Sequence, residues 1–256
     1  MKSYHHMNKL GLILGLICLF SFKQPEEIQI YSIGDSTMAD YTASYLNKFG
    51  KGYPIRGWMQ LAPPLFTKQV HIHNEAMSGR SSKSFRDEGW WSKVIQQVKA
   101  GDYVFIQFGH NDAKLDTARH TDPHTTFKQN IERYVREVQA KNAYPILFTS
   151  IPHRKFDQEG HIVDTHGAYL TVVAEVAKST HTPLVDLHTL VTAFLEKTGP
   201  EQSKDLFLHI PPGKFASLPT GKKDDTHLSE SGAKRVAELA VATLKETNLP
   251  LRAYIK

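Results

Sequence analysis

Short apolar runs alternate with longer amphipathic stretches along most of the chain, and this alternation limits the possible folds more than any other feature. The apolar runs have the length of β-strands and cover residues 27–33, 70–76, 103–108, 145–151 and, more briefly, 184–187. The amphipathic stretches have helical spacing and cover residues 125–140, 166–178, 189–197 and 229–245. Because the strand runs are mostly apolar, we expect a sheet that is buried on both faces and hence parallel. The sequence therefore predicts an α/β fold, a three-layer sandwich around a central, mostly five-stranded parallel sheet.

The first three predicted strands each end in a cluster of small polar residues. These clusters are Gly34-Asp35-Ser36, Met77-Ser78-Gly79-Arg80 and Gly109-His110-Asn111-Asp112. Ligands of open parallel sheets bind beyond the carboxyl ends of the strands, so Ser36, Gly79 and Asn111 are expected to converge. A glycine lets the backbone approach closely, and an amide donates a hydrogen bond without a change of charge. Such donors suit the negative oxygen of the tetrahedral intermediate in acyl transfer.

The segment Asp224-Asp225-Thr226-His227 supplies what a reactive serine needs. A serine becomes a nucleophile when a histidine takes its proton and an acid holds that histidine in the right tautomer. Each motif alone is common in ordinary turns and loops, and only their ordered combination at successive strand ends indicates catalysis. The preceding residues 199–223 are rich in Pro and Gly and are expected to form a long ordered loop, one wall of the site.

In four blocks, the chain resembles the SGNH (GDSL-like) hydrolases, and within them the rhamnogalacturonan acetylesterases. The blocks are GDST (34–37), NEAMSGRSS (74–82), GHND (109–112) and DDTHLS (224–229), with further similarity in THGAY (165–169) and FLHIPPG (207–213). The resemblance extends over essentially the whole chain after residue 23. It departs from the family at Met59, where a glycine is expected after Trp58 in a loop that faces the substrate.

The resemblance implies the flavodoxin-like SGNH hydrolase fold and a role for each catalytic residue. Ser36 is implied to be the nucleophile and His227 the general base and then the general acid. Asp224 is implied to orient His227, with Asp225 as the rival acid, because the three-residue spacing of the family motif favours Asp224. No metal or other cofactor is implied.

The oxyanion hole implied by the resemblance consists of the backbone N–H groups of Ser36 and Gly79 and the side chain of Asn111. The implied substrate is an acetylated polysaccharide or oligosaccharide of the plant cell wall, with rhamnogalacturonan, a pectin, as the first choice. Acetylated xylan, or another carbohydrate or lipid ester, is the alternative. A non-catalytic carbohydrate-binding protein on the same scaffold is a further alternative, and the intact Ser36, Asp224 and His227 argue against it.

Four residues are candidates for contacts to the substrate: Asp35, Trp58, Asn74 and Arg80. The ring of Trp58 could stack on a sugar, whereas for the neighbouring tryptophans at positions 90 and 91 burial is the competing interpretation. Arg80, together with Lys83 and Arg86, either belongs to a solvated helix face or pairs with the carboxylates of an acidic polysaccharide.

Residues 1–23 are predicted to be a signal peptide. Lys2 and Lys9 precede an uncharged, mostly apolar run at residues 10–22, which is shorter than the roughly 20 residues that span a bilayer. The single cysteine, Cys18, lies in that run. We expect cleavage to leave residues 24–256 as a single domain, secreted or periplasmic, with no stable membrane span.

The charge of the chain argues against nucleic acid as a partner. The formal net charge of +5 falls to +2 without residues 1–23, because that segment holds three lysines and no acidic residue. So small an excess of positive charge gives little attraction to phosphates. The oligomeric state stays open.

Two histidine pairs invite comparison with metal sites. His71 and His73 alternate on a predicted strand and so point to one face, while His120 and His124 lie in a polar loop. No third ligand accompanies either pair at a persuasive spacing. We therefore expect no metal site at these histidines.

Overall fold

The computed structural model describes residues 27–256, so the predicted signal peptide at residues 1–23 and Cys18 lie outside the described residues. The strands are β1 (Ile28–Gly34), β2 (Val70–Asn74), β3 (Tyr103–Gln107), β4 (Tyr144–Phe148), β5 (Leu184–Val185), β6 (Phe207–Ile210) and β7 (Lys222–Leu228). The α-helices are α1 (Ala43–Asn47), α2 (Ser84–Asp87), α3 (Trp90–Gln97), α4 (Lys128–Gln139), α5 (Ala168–Ser179), α6 (Leu187–Thr198) and α7 (Glu230–Lys245).

Strands β1 to β5 form one parallel sheet in the order β2-β1-β3-β4-β5. Ser32 of β1 lies opposite Asn74 of β2, and Gly34 lies opposite Gln107 of β3. The carboxyl end of β1 is therefore flanked by the carboxyl ends of two neighbouring strands. The predicted α/β fold with a five-stranded parallel sheet is confirmed.

Alternate residues of the inner strands enter two separate cores, one on each face of the sheet. In β3, Tyr103 and Phe105 pack with helices α6 and α7, whereas Val104 and Ile106 pack with α3, α4 and α5. This alternation follows from the two-residue period of a strand and makes the sheet the middle of three layers. Among the helices of residues 27–256, none is both long enough and apolar enough to cross a bilayer.

Capping side chains change the bounds of two predicted elements. The predicted strand at residues 184–187 contains only β5, since Asp186 accepts a hydrogen bond from the Thr189 N–H and starts α6. The predicted helix at residues 125–140 consists of a π-helical turn, Pro123–Phe127, followed by α4. Asp122 caps that turn by accepting from the N–H groups of His124 and Thr125.

The expectation of one long loop at residues 199–223 is wrong. This stretch contains a 3-10 helix, Gln202–Leu206, and strand β6, which pairs antiparallel with β7. Apart from Gly199 and Pro200, the prolines and glycines of this stretch lie in the connection between the two strands, at residues 211–221. Asp224 and His227 therefore stand on strand β7 rather than on a loop; Asp224 lies opposite Leu208, and His227 lies where the register shifts before Leu228.

Candidate active site

Ser36 lies in the turn that follows β1, at the carboxyl edge of the sheet. Strand β1 ends at Gly34, where a Cβ atom would lie 2.7 Å from the carbonyl oxygen of Gln107 and 2.9 Å from the Met38 sulfur, so the position has no room for a side chain. Asp35 closes the turn by accepting from the backbone N–H and the hydroxyl of Thr37, at 2.9 and 2.8 Å. The turn is thus fixed from both sides of Ser36.

The side chain of His227 links Ser36 to Asp224. Its Nε2 atom lies 3.1 Å from Oγ of Ser36, and its Nδ1 atom lies 2.9 Å from Oδ2 of Asp224. Oδ1 of Asp224 accepts from the backbone N–H groups of Thr226 and His227, at 3.0 and 2.9 Å. The carboxylate therefore cannot rotate freely, and it holds the imidazole with one nitrogen toward the serine.

Lys222 adds a positive charge beside the same carboxylate. Its Nζ atom lies 2.9 Å from Oδ2 of Asp224, the oxygen that also contacts His227. Burial by itself raises the pKa of Asp224, but the hydrogen bonds and charges of His227 and Lys222 outweigh burial and lower it well below its ordinary value. Asp224 is therefore an anion throughout the neutral pH range.

The structure separates the two aspartates that sequence reasoning treated as rivals. Asp225 Oδ1 lies 2.7 Å from Nε2 of His209 and 3.0 Å from Nη1 of Arg154. The pairing of β7 with β6 shifts register between Asp224 and Leu228, so regular strand alternation does not apply, and the contacts themselves place Asp224 at His227 and Asp225 away from it. Asp225 is engaged in a different ion pair, with Arg154, whose side chain is only 9% exposed.

Asn111 lies next to the segment that contains Gly79. The Nδ2 atom of Asn111 donates to the carbonyl oxygen of Arg80 at 3.1 Å. Gly79 has a φ angle of +80°, a conformation that residues with side chains rarely adopt. The space where a Cβ atom would be is open, so a ligand can approach the backbone at Gly79. The loops after β2 and β3 therefore meet, as their positions at neighbouring strand ends predict.

Asp112 fixes these two loops to each other. Its buried carboxylate accepts from the backbone N–H of Ser82 at 3.1 Å and from the hydroxyl of Thr121 at 2.9 Å. The hydroxyl of Tyr134 donates to the Ser82 carbonyl at 2.9 Å. Burial raises the pKa of Asp112 to about 6, although the hydrogen bonds from Ser82 and Thr121 lower it. Because both loops share one buried carboxylate, Asn111 is held in place independently of any ligand.

Two of the residues predicted to contact substrate are buried in the protein instead. Trp58 has no exposed surface, and its Nε1 donates to Oε1 of Gln107 at 2.6 Å. Asp35 likewise has no exposed surface. Stacking of Trp58 on a sugar and a substrate contact of Asp35 are therefore excluded in this structure.

The amide of Asn74, a third predicted substrate contact, is fully engaged within the protein. Its Nδ2 donates to the carbonyl of Met38 at 2.9 Å and to Asp40 at 2.8 Å, while its Oδ1 accepts from Ser32 at 2.8 Å and from the N–H of Ala76 at 3.3 Å. An amide has this number of donors and acceptors and no more. Asn74 thus holds the loop beyond Ser36 rather than a ligand.

The basic residues after β2 each have an acidic partner. Arg80 contacts Glu88 at 2.8 Å, and Lys83 contacts Asp87 at 2.7 Å. Arg86 makes a paired contact with Glu137, at 3.2 and 3.1 Å. Trp90 donates to Glu88, and Trp91 is buried and donates to Glu137. Each basic side chain of this cluster thus has a partner within the protein, and contact of Arg80 with a uronate carboxylate stays a prediction.

Four histidines also meet at this edge of the sheet, and sequence reasoning did not connect them: His110, His153, His166 and His188. Burial, helped by the neighbouring imidazoles, lowers the pKa of His166 to about 3 and that of His110 well below its ordinary value. Burial also lowers the pKa of His153 and His188. The cluster is therefore neutral at pH 7. Only the fold could reveal it, because its members come from four separate segments.

Fold and contacts together define a class: an α/β protein whose serine, histidine and aspartate are arranged as in a serine hydrolase. Residues 32–235 match the family described as GDSL-like Lipase/Acylhydrolase. The chain belongs to this family and is a carboxylic ester hydrolase.

Relatives with assigned names are similar over nearly the whole chain. The chain is 36% identical to the rhamnogalacturonan acetylesterase RhgT of Bacillus subtilis, over 89% of this chain and 94% of that protein. It is 30% identical to the probable rhamnogalacturonan acetylesterase YesY of the same organism, over 88% of this chain and 96% of that protein.

A solved structure resembles this one closely. The crystal structure of the Bacillus subtilis protein YxiM has a TM-score of 0.75 and 28% identity, and the match covers 88% of this chain and 58% of YxiM. This chain therefore spans little more than half of YxiM. The structure of a variant of Axe2, an acetyl-xylooligosaccharide esterase from Geobacillus, has a TM-score of 0.61 at 16% identity, with 88% of this chain and 97% of that chain covered, and shows the common fold.

Proposed function

We propose that this chain is a serine esterase that removes O-acetyl groups from carbohydrate, with acetylated rhamnogalacturonan as its substrate. The observation that carries the proposal is the continuous line of contacts from Ser36 through His227 to Asp224. The names of RhgT and YesY support the acetyl group and the polymer, because similarity to both extends over nearly all of their length.

In the first half of the reaction, Oγ of Ser36 bonds to the carbonyl carbon of the acetyl ester while its proton passes to Nε2 of His227. The two atoms are already 3.1 Å apart, within reach of a direct proton transfer. The imidazole becomes positive, and the carboxylate of Asp224 stabilises that charge through the Nδ1–H group at 2.9 Å.

The carbonyl oxygen becomes negative as the Oγ–carbon bond forms. The amide of Asn111 and the backbone N–H groups of Ser36 and Gly79 are the donors that we assign to this oxygen. The intermediate then collapses when the bond to the sugar oxygen breaks and that oxygen takes the proton from Nε2 of His227. The deacetylated sugar leaves, and the acetyl group stays on Ser36.

Water completes the cycle by the same route. It gives a proton to His227 and attacks the acetyl carbon on Ser36, and the proton then returns to Oγ as acetate leaves. Both halves of the reaction use one base, which fits a histidine whose other nitrogen is held by a fixed carboxylate.

The experiment that tests this function is acetate release from a panel of acetylated rhamnogalacturonan, xylan and mannan, with Ser36→Ala as the matched control. We expect the highest kcat/KM on rhamnogalacturonan and no release by the variant. A preference for xylan or mannan would contradict rhamnogalacturonan as the substrate but would leave the serine esterase mechanism in place. Failure to hydrolyse even p-nitrophenyl acetate would favour a carbohydrate-binding protein and contradict the proposal.

We further propose that residues 1–23 direct export, so that the esterase acts outside the cytoplasm where polymers are accessible. The basic start and the short apolar run support this proposal. Expression of the full chain followed by N-terminal sequencing of protein from the periplasm and the medium tests it. Recovery of uncleaved protein only from the cytoplasm would contradict it.

A further inference from the structure

His110 and His153 follow β3 and β4, His166 lies just before α5, and His188 lies in the first turn of α6. The ring centroids of His110 and His166 are 4.6 Å apart, those of His110 and His153 are 4.9 Å apart, and those of His153 and His166 are 4.9 Å apart with nearly parallel planes. His188 stands further out, 5.6 Å from His166. Three imidazoles therefore form a compact triangle with the fourth at its edge.

Buried nitrogen atoms in this triangle have lone pairs or protons that the protein leaves without a partner. Nδ1 of His110 lies 3.0 Å from Nε2 of His166. Within the described part of the chain, Nε2 of His110 and Nδ1 of His166 have no hydrogen-bond partner, although the two residues are only 7% and 4% exposed. Buried polar atoms are normally satisfied by protein, water or an ion, so these two nitrogens leave the cluster with hydrogen-bonding capacity that its protein neighbours do not use.

We propose that His110, His153 and His166 form a binding site for a divalent late transition metal ion, with Zn²⁺ as the preferred ion. One ligand atom from each of the three lies within 4.8 Å of the others. Bonds of about 2.0–2.1 Å in a tetrahedral site place nitrogen atoms roughly 3.3 Å apart, so small side-chain rotations complete the geometry.

Imidazole nitrogen is a ligand that such ions prefer, and binding through both Nδ1 of His110 and Nε2 of His166 requires the proton that they share to move to another ring nitrogen. His153 directs Nδ1 to the hydroxyl of Thr165 at 2.6 Å, which orients the ring and leaves the other nitrogen for the metal. Three protein ligands leave one coordination position for water or another small ligand.

A second group, Asp164, His166 and His188, also brings three ligand atoms within 4.8 Å of one another. Its carboxylate is already engaged, because Asp164 Oδ1 accepts from the N–H of His166 at 2.7 Å and from that of Gly167 at 3.1 Å. Asp164 is also exposed. The three-histidine group is therefore the better site, and His188 stands as a neighbour to it.

Zn²⁺ binding to the chelator-treated full-length chain tests the site without relying on catalysis. We expect one equivalent to bind in competition with a chromophoric chelator, and Co²⁺ to give the visible absorption of a four-coordinate site. His153→Ala should weaken binding by at least about 100-fold, since it removes one of only three ligands. His153 is partly exposed, so this variant is expected to fold.

Two control variants separate this site from other histidines. His120→Ala/His124→Ala removes two exposed histidines, the second in the π-helical turn before α4, and His5→Ala/His6→Ala removes the pair near the start of the chain. Both should bind one Zn²⁺ like the parent, and Zn²⁺ should raise the unfolding temperature of the parent and of both controls but not of His153→Ala. Absence of stoichiometric binding by the parent, or binding that survives in His153→Ala and disappears in His5→Ala/His6→Ala, would overturn the proposal.

Discussion

Asp224 and His227 contact each other twice: Oδ2 of Asp224 lies 2.9 Å from Nδ1 of His227, and Oδ1 accepts from the backbone N–H of His227 at 2.9 Å. The second contact fixes the carboxylate, and the first fixes the ring. Asp224, His227 and the backbone between them therefore form one small unit on strand β7. Ser36 lies beside this unit because it follows β1 at the carboxyl edge of the five-stranded sheet.

This unit predicts unequal effects of removing the two neighbouring carboxylates. Asp224→Asn should lower kcat by about 10³- to 10⁴-fold, because an amide at this position favours the wrong tautomer of His227. Asp225→Asn is the matched control and should keep kcat within a few-fold, since Asp225 pairs with Arg154 and His209. Initial rates on p-nitrophenyl acetate, measured well below the unfolding temperature of each variant, provide the comparison. Equal losses would contradict the assignment of Asp224.

Asn111 is expected to act on the transition state rather than on stability. Asn111→Ala should lower kcat by about 10²- to 10³-fold, as the loss of one oxyanion donor does in other hydrolases. Asn130→Ala is the control, because the amide of Asn130 also makes a hydrogen bond, 3.2 Å long, to the neighbouring loop at Ser82. Comparable kcat values for the two variants would remove Asn111 from the oxyanion hole.

The free energy of unfolding is expected to depend on pH through the buried carboxyl group of Asp35. Burial raises its pKa to about 6 from the ordinary 3.8, although hydrogen bonds from Thr37 act in the opposite direction. The folded chain therefore binds this proton more tightly than the unfolded chain, and the resulting stability is complete below pH 3.8 and lost as the pH rises through 6. The free energy at stake is about 3 kcal/mol.

The measurement is chemical denaturation of the parent and of Asp35→Asn between pH 4 and pH 7. The variant keeps an oxygen for Thr37 and has no proton to lose, so its stability relative to the parent should improve as the pH rises. Asp87→Asn, at an exposed carboxylate, should follow the parent. Parallel curves for the parent and Asp35→Asn would show that Asp35 is not the group responsible.

Trp58 is expected to contribute to stability and not to sugar binding. Trp58→Phe leaves Oε1 of the buried Gln107 without its donor, which should lower the free energy of unfolding by about 1–3 kcal/mol. KM for the acetylated polymer should stay unchanged. Trp90→Phe, at a partly exposed position, should cost less stability. A raised KM with unchanged stability would restore the stacking hypothesis for Trp58.

The layered fold could be predicted because its signals are local, and the pairing of Ser36 with His227 could be predicted from the ordered combination of motifs along the chain. Apolar strands buried on both faces predict a parallel sheet, and the polar turn of Ser36 follows directly from the end of β1. The β6–β7 pair was missed because Lys222–Leu228 is polar at most positions and has no apolar alternation. Its pairing depends on tertiary contacts that no short sequence window contains.

The side chains around the site were harder to predict than the site itself. Asn74 and Trp58 carry chemistry that fits sugar binding, and only the structure shows that Met38 and Gln107 occupy their hydrogen-bonding groups. The sequence could not decide whether Arg80 pairs within the protein, because its partner Glu88 lies eight residues later, after the short helix α2. The triangle of His110, His153 and His166 could not be predicted for a different reason: its members share no sequence motif and become neighbours only when three separate segments meet.

Covalent labelling by a serine-directed phosphonate tests most directly the claim that Ser36 is the activated nucleophile. The phosphonate should attach to a single site, and peptide mass spectrometry should place it on Ser36, with esterase activity lost in proportion to the fraction labelled. Ser36→Ala should neither react nor hydrolyse p-nitrophenyl acetate. Labelling at another residue that abolishes activity, or full activity of Ser36→Ala, would contradict the account.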